Sequence, residues 1–179
     1  PVSVTLTDDD GAGGGEILLI EDQGGFGNAA TVLTNAPFSV TVVNNQFANG
    51  YSSLLNASFL AGFDFVVYGE RGSGVGDVLP IAVANSLENY LQNGGHLLVT
   101  GYDTLGSPTD PNLATLVRSV SPADQVSGNP NWVTLNINHF ILNGPFGDFR
   151  NLSFSATGYD DDRLIPNTGA GTIVLANTP

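Results

Sequence analysis

The hydrophobic positions of the chain fall into short continuous runs divided by turn-forming residues. Glu16 to Ile20 reads Glu-Ile-Leu-Leu-Ile, Phe38 to Val43 reads Phe-Ser-Val-Thr-Val-Val, Asp64 to Tyr68 reads Asp-Phe-Val-Val-Tyr, and His96 to Thr100 reads His-Leu-Leu-Val-Thr. Such runs suit strands buried on both faces, as in a parallel sheet. Helical spacing lies between them. Asn28 to Asn35 predicts a short helix stopped by Pro37. Ser52 to Ala61 predicts a second, with Leu54, Leu55, Phe59 and Leu60 on one face and Gly62 at its end. The longest helix runs from about Asp77 to Asn93. Asp77 is the expected N-cap, Pro80 lies in the first turn, and Ile81, Ala84, Leu87 and Leu91 form the expected buried stripe. Asn93-Gly94 is its stop signal.

Strands and helices thus alternate through the first two thirds, the signature of right-handed β-α-β units. The expected fold class is α/β: a three-layer sandwich with a mainly parallel central sheet. His96 to Thr100 is expected to break at Gly101 into a turn carrying Tyr102 and Asp103, at the functional edge of that sheet. Further on, Asn112 to Arg118 predicts a short helix, and Ser119 to Asn131 a loop. Trp132 to Ile137, Asn151 to Ala156 and Thr172 to Ala176 predict strands, the last two separated by an acidic loop through Asp160, Asp161 and Asp162.

The first seven residues, Pro-Val-Ser-Val-Thr-Leu-Thr, alternate with the two-residue period of a strand. Asp8 to Asp10 and Gly11 to Gly15 follow as an acidic, Gly-rich link. Residues 1–15 are therefore read as an N-terminal strand on a tether, and 16–179 as one α/β domain. Val2, Val4 and Leu6 share one side of the strand. They mark it as an assembly strand, able to join the edge of its own sheet or another subunit's.

Composition narrows the partners. The 179 residues include 17 acidic residues and four arginines, with a net charge of −13 and no cysteine or methionine. That charge opposes nucleic acid and anionic membrane surfaces, both polyanions. No apolar run is long enough to insert into a membrane. Without cysteine there is no disulfide scaffold and no thiol nucleophile. With no initiator Met, the chain reads as a processed product or a segment of something longer. A surface built from Asn, Ser, Thr and Gly in place of Lys suits an extracellular or cell-surface location.

Candidate chemistry gathers past the strand ends. Glu21, Asp22, Glu70 and Asp103 are expected at one edge of the sheet, where ligands bind at the switch in strand order. Carboxylates there could hold Ca²⁺, which takes hard oxygen ligands, or act as acid and base. Equally, an acidic protein carries acids in its loops. Asp160 to Asp162 form a second acidic group, without the alternating spacing of a calcium loop. Gly69 to Gly76 is Gly-rich before a helix, yet lacks the Lys-Ser/Thr of a phosphate loop. His96 and His139 have no metal-site spacing. Trp132, Phe140, Phe146 and Phe149 read as core capping, or as a platform for a glycan.

The order of strand, Gly-Gly turn, helix, strand, then a long helix ending Asn93-Gly94-Gly95 before His-Leu-Leu-Val-Thr-Gly resembles the flavodoxin-like fold of the class I glutamine amidotransferase-like superfamily, and within it the ThuA-like type. Asn138-His139-Phe140-Ile141-Leu142-Asn143-Gly144 is similar to the Asn-His-Pro-Ile-x-x-Gly element seen there, and the terminal Gly-Thr-Ile-Val-Leu-Ala-Asn-Thr to its closing strand. Catalytic members of the superfamily place a Cys in the turn after the strand matching 96–100, where backbone N–H groups hold an oxyanion. Here that turn reads Gly101-Tyr102-Asp103-Thr104-Leu105-Gly106, with no Cys.

The expectation is a non-catalytic extracellular structural or interaction module. It would be part of a larger surface protein or a self-assembling subunit joined through its N-terminal strand. Its expected partner is protein or a second copy of itself, with a glycan and Ca²⁺ as further candidates and no resident cofactor. The alternative is a hydrolase-like enzyme, carbohydrate-directed, using carboxylates at the sheet edge.

Overall fold

The computed structural model describes residues 15–22, 38–44, 55–71, 78–102, 110–119, 123–126, 133–134, 143–144, 147–148, 160–163, 167, 169 and 176–177. Four strands form the central sheet: β1 (Glu16–Asp22), β2 (Ser39–Asn44), β3 (Phe65–Arg71) and β4 (His96–Tyr102). Their order is β2-β1-β3-β4 and every pairing is parallel. The fold is α/β with a mostly parallel sheet, consistent with the flavodoxin-like class expected from the alternation.

β1 is a strand with no wet face. Ile17, Leu18, Leu19 and Ile20 are all buried, and β2 and β3 flank the strand on its two sides. Even-numbered side chains of β1 join Val66, Tyr68 and Val43 in the larger core, with Leu60, Leu79, Leu87 and Leu113 from the helical layer. Odd-numbered ones, Ile17 and Leu19, meet Val67 and Val40 on the opposite face. At the N-terminal end, the Asp64 carboxylate accepts a 2.7 Å hydrogen bond from the Glu16 N–H, and Asp64 N–H donates to the Glu16 carbonyl. This reciprocal pair sets the register in which β3 starts beside β1.

Helix α1 (Ala57–Leu60) is shorter than predicted and is capped by Asn56, whose side chain accepts from Phe59 N–H at 3.0 Å. Helix α2 (Ile81–Gln92) begins after Pro80, four residues later than the sequence pattern suggests, and Asp77 lies outside the described residues. Its buried stripe is Val83, Ala84, Leu87 and Tyr90. Ile81 is not part of it: at the first position of the helix it is 61% exposed. Helix α2 ends as expected, by a motif with two hydrogen bonds. Gly94 N–H reaches the Leu91 carbonyl, Gly95 N–H reaches the Tyr90 carbonyl, and Gly94 takes φ +92°. Gly95 is required for a different reason. A Cβ there would lie 2.3 Å from the Tyr90 ring, which packs over the turn and donates its hydroxyl to the Phe63 carbonyl.

Helix α3 (Pro111–Leu116) repeats the device with a different residue. Arg118 N–H bonds the Thr115 carbonyl and Ser119 N–H the Ala114 carbonyl, with Arg118 at φ 58° where glycine is usual. Its guanidinium meets the Glu88 carboxylate of α2 at 2.7 Å. That hydrogen bond holds the Glu88 carboxyl below its ordinary range. The N-terminal end of α3 is tied to the chain entering α2. Asp110 is buried; one of its oxygens accepts from Asn112 and Leu113 N–H, and the other from Leu79 N–H at 2.6 Å. Asn112 returns a bond to the Leu79 carbonyl at 2.7 Å. Both backbone groups of the fully buried Leu79 are thereby satisfied from the α3 cap.

The last third is antiparallel where it is described. β5 (Ala123–Val126) pairs with β9 (Asp160–Arg163), β6 (Val133–Thr134) with β10 (Ala176–Asn177), and β7 (Asn143–Gly144) with β8 (Gly147–Asp148). Two expectations are corrected here. Asp160, Asp161 and Asp162 are in a strand and not a loop, and their partner β5 lies within 119–131, which also read as loop. Acidic residues are poor strand formers, so only the cross-strand pairing produces these elements. The predicted strands 1–7 and 151–156, the predicted helix 28–35 and the Gly72–Gly76 turn lie outside the described residues.

Asp110→Ala removes a helix cap and leaves the buried Leu79 N–H without its acceptor. The expected loss is about 2–4 kcal/mol of unfolding free energy, read as a lower urea midpoint at unchanged slope, with Asp110→Asn losing less.

Candidate functional site

Parallel strands end together, and their ends bring Glu21, Asp22 and Glu70 to one edge. Glu21 and Asp22 close β1, and Glu70 lies one residue from the end of β3. The register pairs Asp22 with Glu70, Glu21 with Gly69 and Asn44, and Glu70 with Gly101. Partner positions on adjacent strands sit about 4.8 Å apart. The strand order reverses between β1 and β3, so these acidic positions flank the switch point itself. Asp103 lies outside the described residues.

The strand before Asp103 is longer than its sequence suggests. β4 does not break at Gly101: Gly101 pairs with Glu70, and Tyr102 pairs with Arg71. A glycine inside a strand carries no instruction to stop when a neighbouring strand offers continuing ladder bonds, and β3 does so through Arg71. Asp160 to Asp162 face β5 through Val126, Gln125 and Asp124 in turn, which sets Asp162 opposite Asp124. Among the described residues, no group of three or more His, Asp or Glu side chains is arranged to hold a metal ion.

At the other edge, where the strands begin, two open hollows lie back to back. One, of about 470 Å³, is lined by Ala61, Asp64, Asn89, Tyr90, Asn93 and His96. Three of its polar side chains are committed to the fold. Tyr90 donates to Phe63, Asn93 to the Asn89 carbonyl, and Asp64 accepts from Glu16. Burial pushes the Tyr90 phenol above its ordinary range, and the nearby Asp64 charge adds to the rise.

The second hollow, of about 420 Å³, lies on the face opposite the described helices α1, α2 and α3 and is almost wholly apolar. Ile17 and Val67 form its buried floor, while Phe38, Phe65 and Leu98 stand around it 42%, 37% and 48% exposed. The His96 ring stacks on Phe65, with centroids 6.3 Å apart and planes within 8°. Gly15, the residue that leads into β1, lines the same hollow. Sequence reasoning missed this site. The signal was the parity of Phe65, Val67 and Leu98, which sets them on one face of β3 and β4; the buried-strand reading treated both faces as covered.

The fold and its edges define a flavodoxin-like α/β protein. A putative ThuA-like protein from Bacteroides uniformis ATCC 8492 has a similar structure, with a TM-score of 0.58 over 92% of this chain and 67% of that one, at 14% sequence identity. The likeness is one of fold. No protein-family profile matches the chain, and no curated protein matches it.

Folding raises the pKa of the Tyr90 phenol, so the folded state holds that proton more tightly than the unfolded one. Its contribution to stability is complete below pH ~10 and is lost as pH rises through the folded value. Tyr90→Phe is expected to cost about 1 kcal/mol at neutral pH through the lost bond to Phe63, and to flatten the fall in thermal midpoint between pH 9 and 11.

Proposed function

We propose that this chain is a non-catalytic, extracellular interaction module, part of a larger surface protein or a self-assembling subunit, joined to its neighbours through the strand at residues 2–7. The observation that carries the reading is the position of Gly15. The chain enters the domain at the rim of an apolar hollow, directly after the Gly-rich tether that carries Val2, Val4 and Leu6. Contiguous exposed apolar surface on a soluble domain marks an interaction site. The chain has no cysteine to act at the turn after β4, where the resembled catalytic members carry theirs. The module is expected to self-associate, with deletion of residues 1–15 returning it to monomers by light scattering. Association that persists unchanged without residues 1–15 would refute the joint.

A second reading is favoured by one observation, the pairing of Asp22 with Glu70 at the switch point. Two carboxylate positions there suit a Ca²⁺ site or the acid and base of a hydrolase acting on carbohydrate. On this reading CaCl₂ raises the thermal midpoint of the full chain by several degrees, or a glycan is cleaved. Asp22→Asn with Glu70→Gln abolishes whichever effect is seen.

A further inference from the structure

The apolar hollow has an exposed rim. Phe38, Phe65 and Leu98 present large carbon surfaces around the buried Ile17 and Val67. They stand on the face away from α2, whose own contacts from β4 are Leu97 and Val99. The hollow reaches from Phe38 at the start of β2 across β1 and β3 to β4, three strand spacings, or about 14 Å. Fourteen residues of chain precede Gly15. The residue they join, Gly15, is itself part of the lining.

We propose that residues 2–7 of the same chain occupy this hollow, with Val2, Val4 and Leu6 facing Phe65, Val67 and Leu98. The proposal rests on the reading of residues 2–7 as the joining strand and names its seat. Three features support it. Val2 to Leu6 in extended form spans about 13 Å, a match for the width of the hollow. The tether Asp8 to Gly14 reaches about 23 Å when extended, more than the distance to be crossed, and its glycines permit the reversal. The alternation supplies aliphatic side chains to the carbon-lined side and leaves Ser3, Thr5 and Thr7 to water. A Gly-rich link this short would hold residues 2–7 at an effective concentration in the millimolar range, so seating in the same chain precedes exchange with a neighbour in dilute solution. Assembly then proceeds by release of the strand from its own hollow into that of another copy.

The absence of native cysteine allows a direct test by disulfide trapping. Val4→Cys is paired with Leu98→Cys in the full chain, and in a control with Asn85→Cys, exposed on α2 on the other side of the sheet. Under mild oxidation at low micromolar concentration, the first pair is expected to close within one chain at least about tenfold faster than the control. Equal rates overturn the proposal. So does a product that is mainly an interchain dimer growing with concentration, since a second copy would then be the occupant. A measurement without cysteines guards against misfolded variants. Deletion of residues 1–7 is expected to raise the fluorescence of an added anilinonaphthalene sulfonate severalfold, and unchanged fluorescence counts against the seat. The two levels of the reading separate cleanly. Oligomers that need residues 1–7 without trapping at Leu98 mean that the joint is right and the seat wrong. Trapping at Leu98 in a chain that never associates means the reverse.

Discussion

The rest of the structure depends on the double burial of β1. Leu18, Leu19 and Ile20 have no exposed surface, and Ile17 has almost none. Four such side chains represent about 6–12 kcal/mol of gross hydrophobic stabilisation, comparable to the whole net stability of a typical domain. A strand of this kind must have a neighbour on each side and a layer on each face. β2 and β3 supply the neighbours, and the helical layer under Leu18 and Ile20 supplies one face.

On the helical face, the connections are fixed by polar contacts at helix ends and not by packing alone. Asp110 spans two jobs, capping α3 and holding Leu79 ahead of α2, so the entry to one helix depends on the start of another. Arg118 and Glu88 tie the same two helices at the far end of α3. The pair is partly exposed and contributes little on its own. Its geometric effect is larger, because it gives a reason for an arginine to hold a left-handed turn that glycine usually fills. Tyr90 does a comparable task at the end of α2, closing over Gly95 and reaching back to the residues before β3.

The two edges of the sheet differ in chemistry. At the C-terminal edge, the acidic positions of β1 and β3 meet across the switch in strand order. At the N-terminal edge, a polar hollow with three side chains that serve the fold backs onto an aromatic and aliphatic one lined by Gly15. A protein of net charge −13 repels its own copies at long range, so contacts between copies need an apolar or backbone component to hold them. The hollow and the alternating segment at residues 2–7 are features of that type, separated in sequence by the Gly-rich stretch 8–14.

The sequence by itself determined the parallel sheet. The four strand-forming runs, the helical spacing ahead of β4 and the Asn93-Gly94-Gly95 stop are local properties, and these survive into the structure. It also set Glu21, Asp22 and Glu70 near one edge, just past the apolar runs, whereas the structure carries β1 and β3 on through them. What it could not determine were features made by a neighbour. β4 continues through Gly101 because β3 continues beside it. Asp160 to Asp162 are in a strand because β5 supplies the ladder, against the preference of three adjacent carboxylates. Ile81 is exposed because it is the first residue of the helix, while Ala84 and Leu87, further along the same stripe, are buried as their spacing predicts. The apolar hollow belongs to the same group: period and hydrophobicity say that Phe65 and Leu98 are fit for burial, but only the packing of the layers decides whether anything covers them.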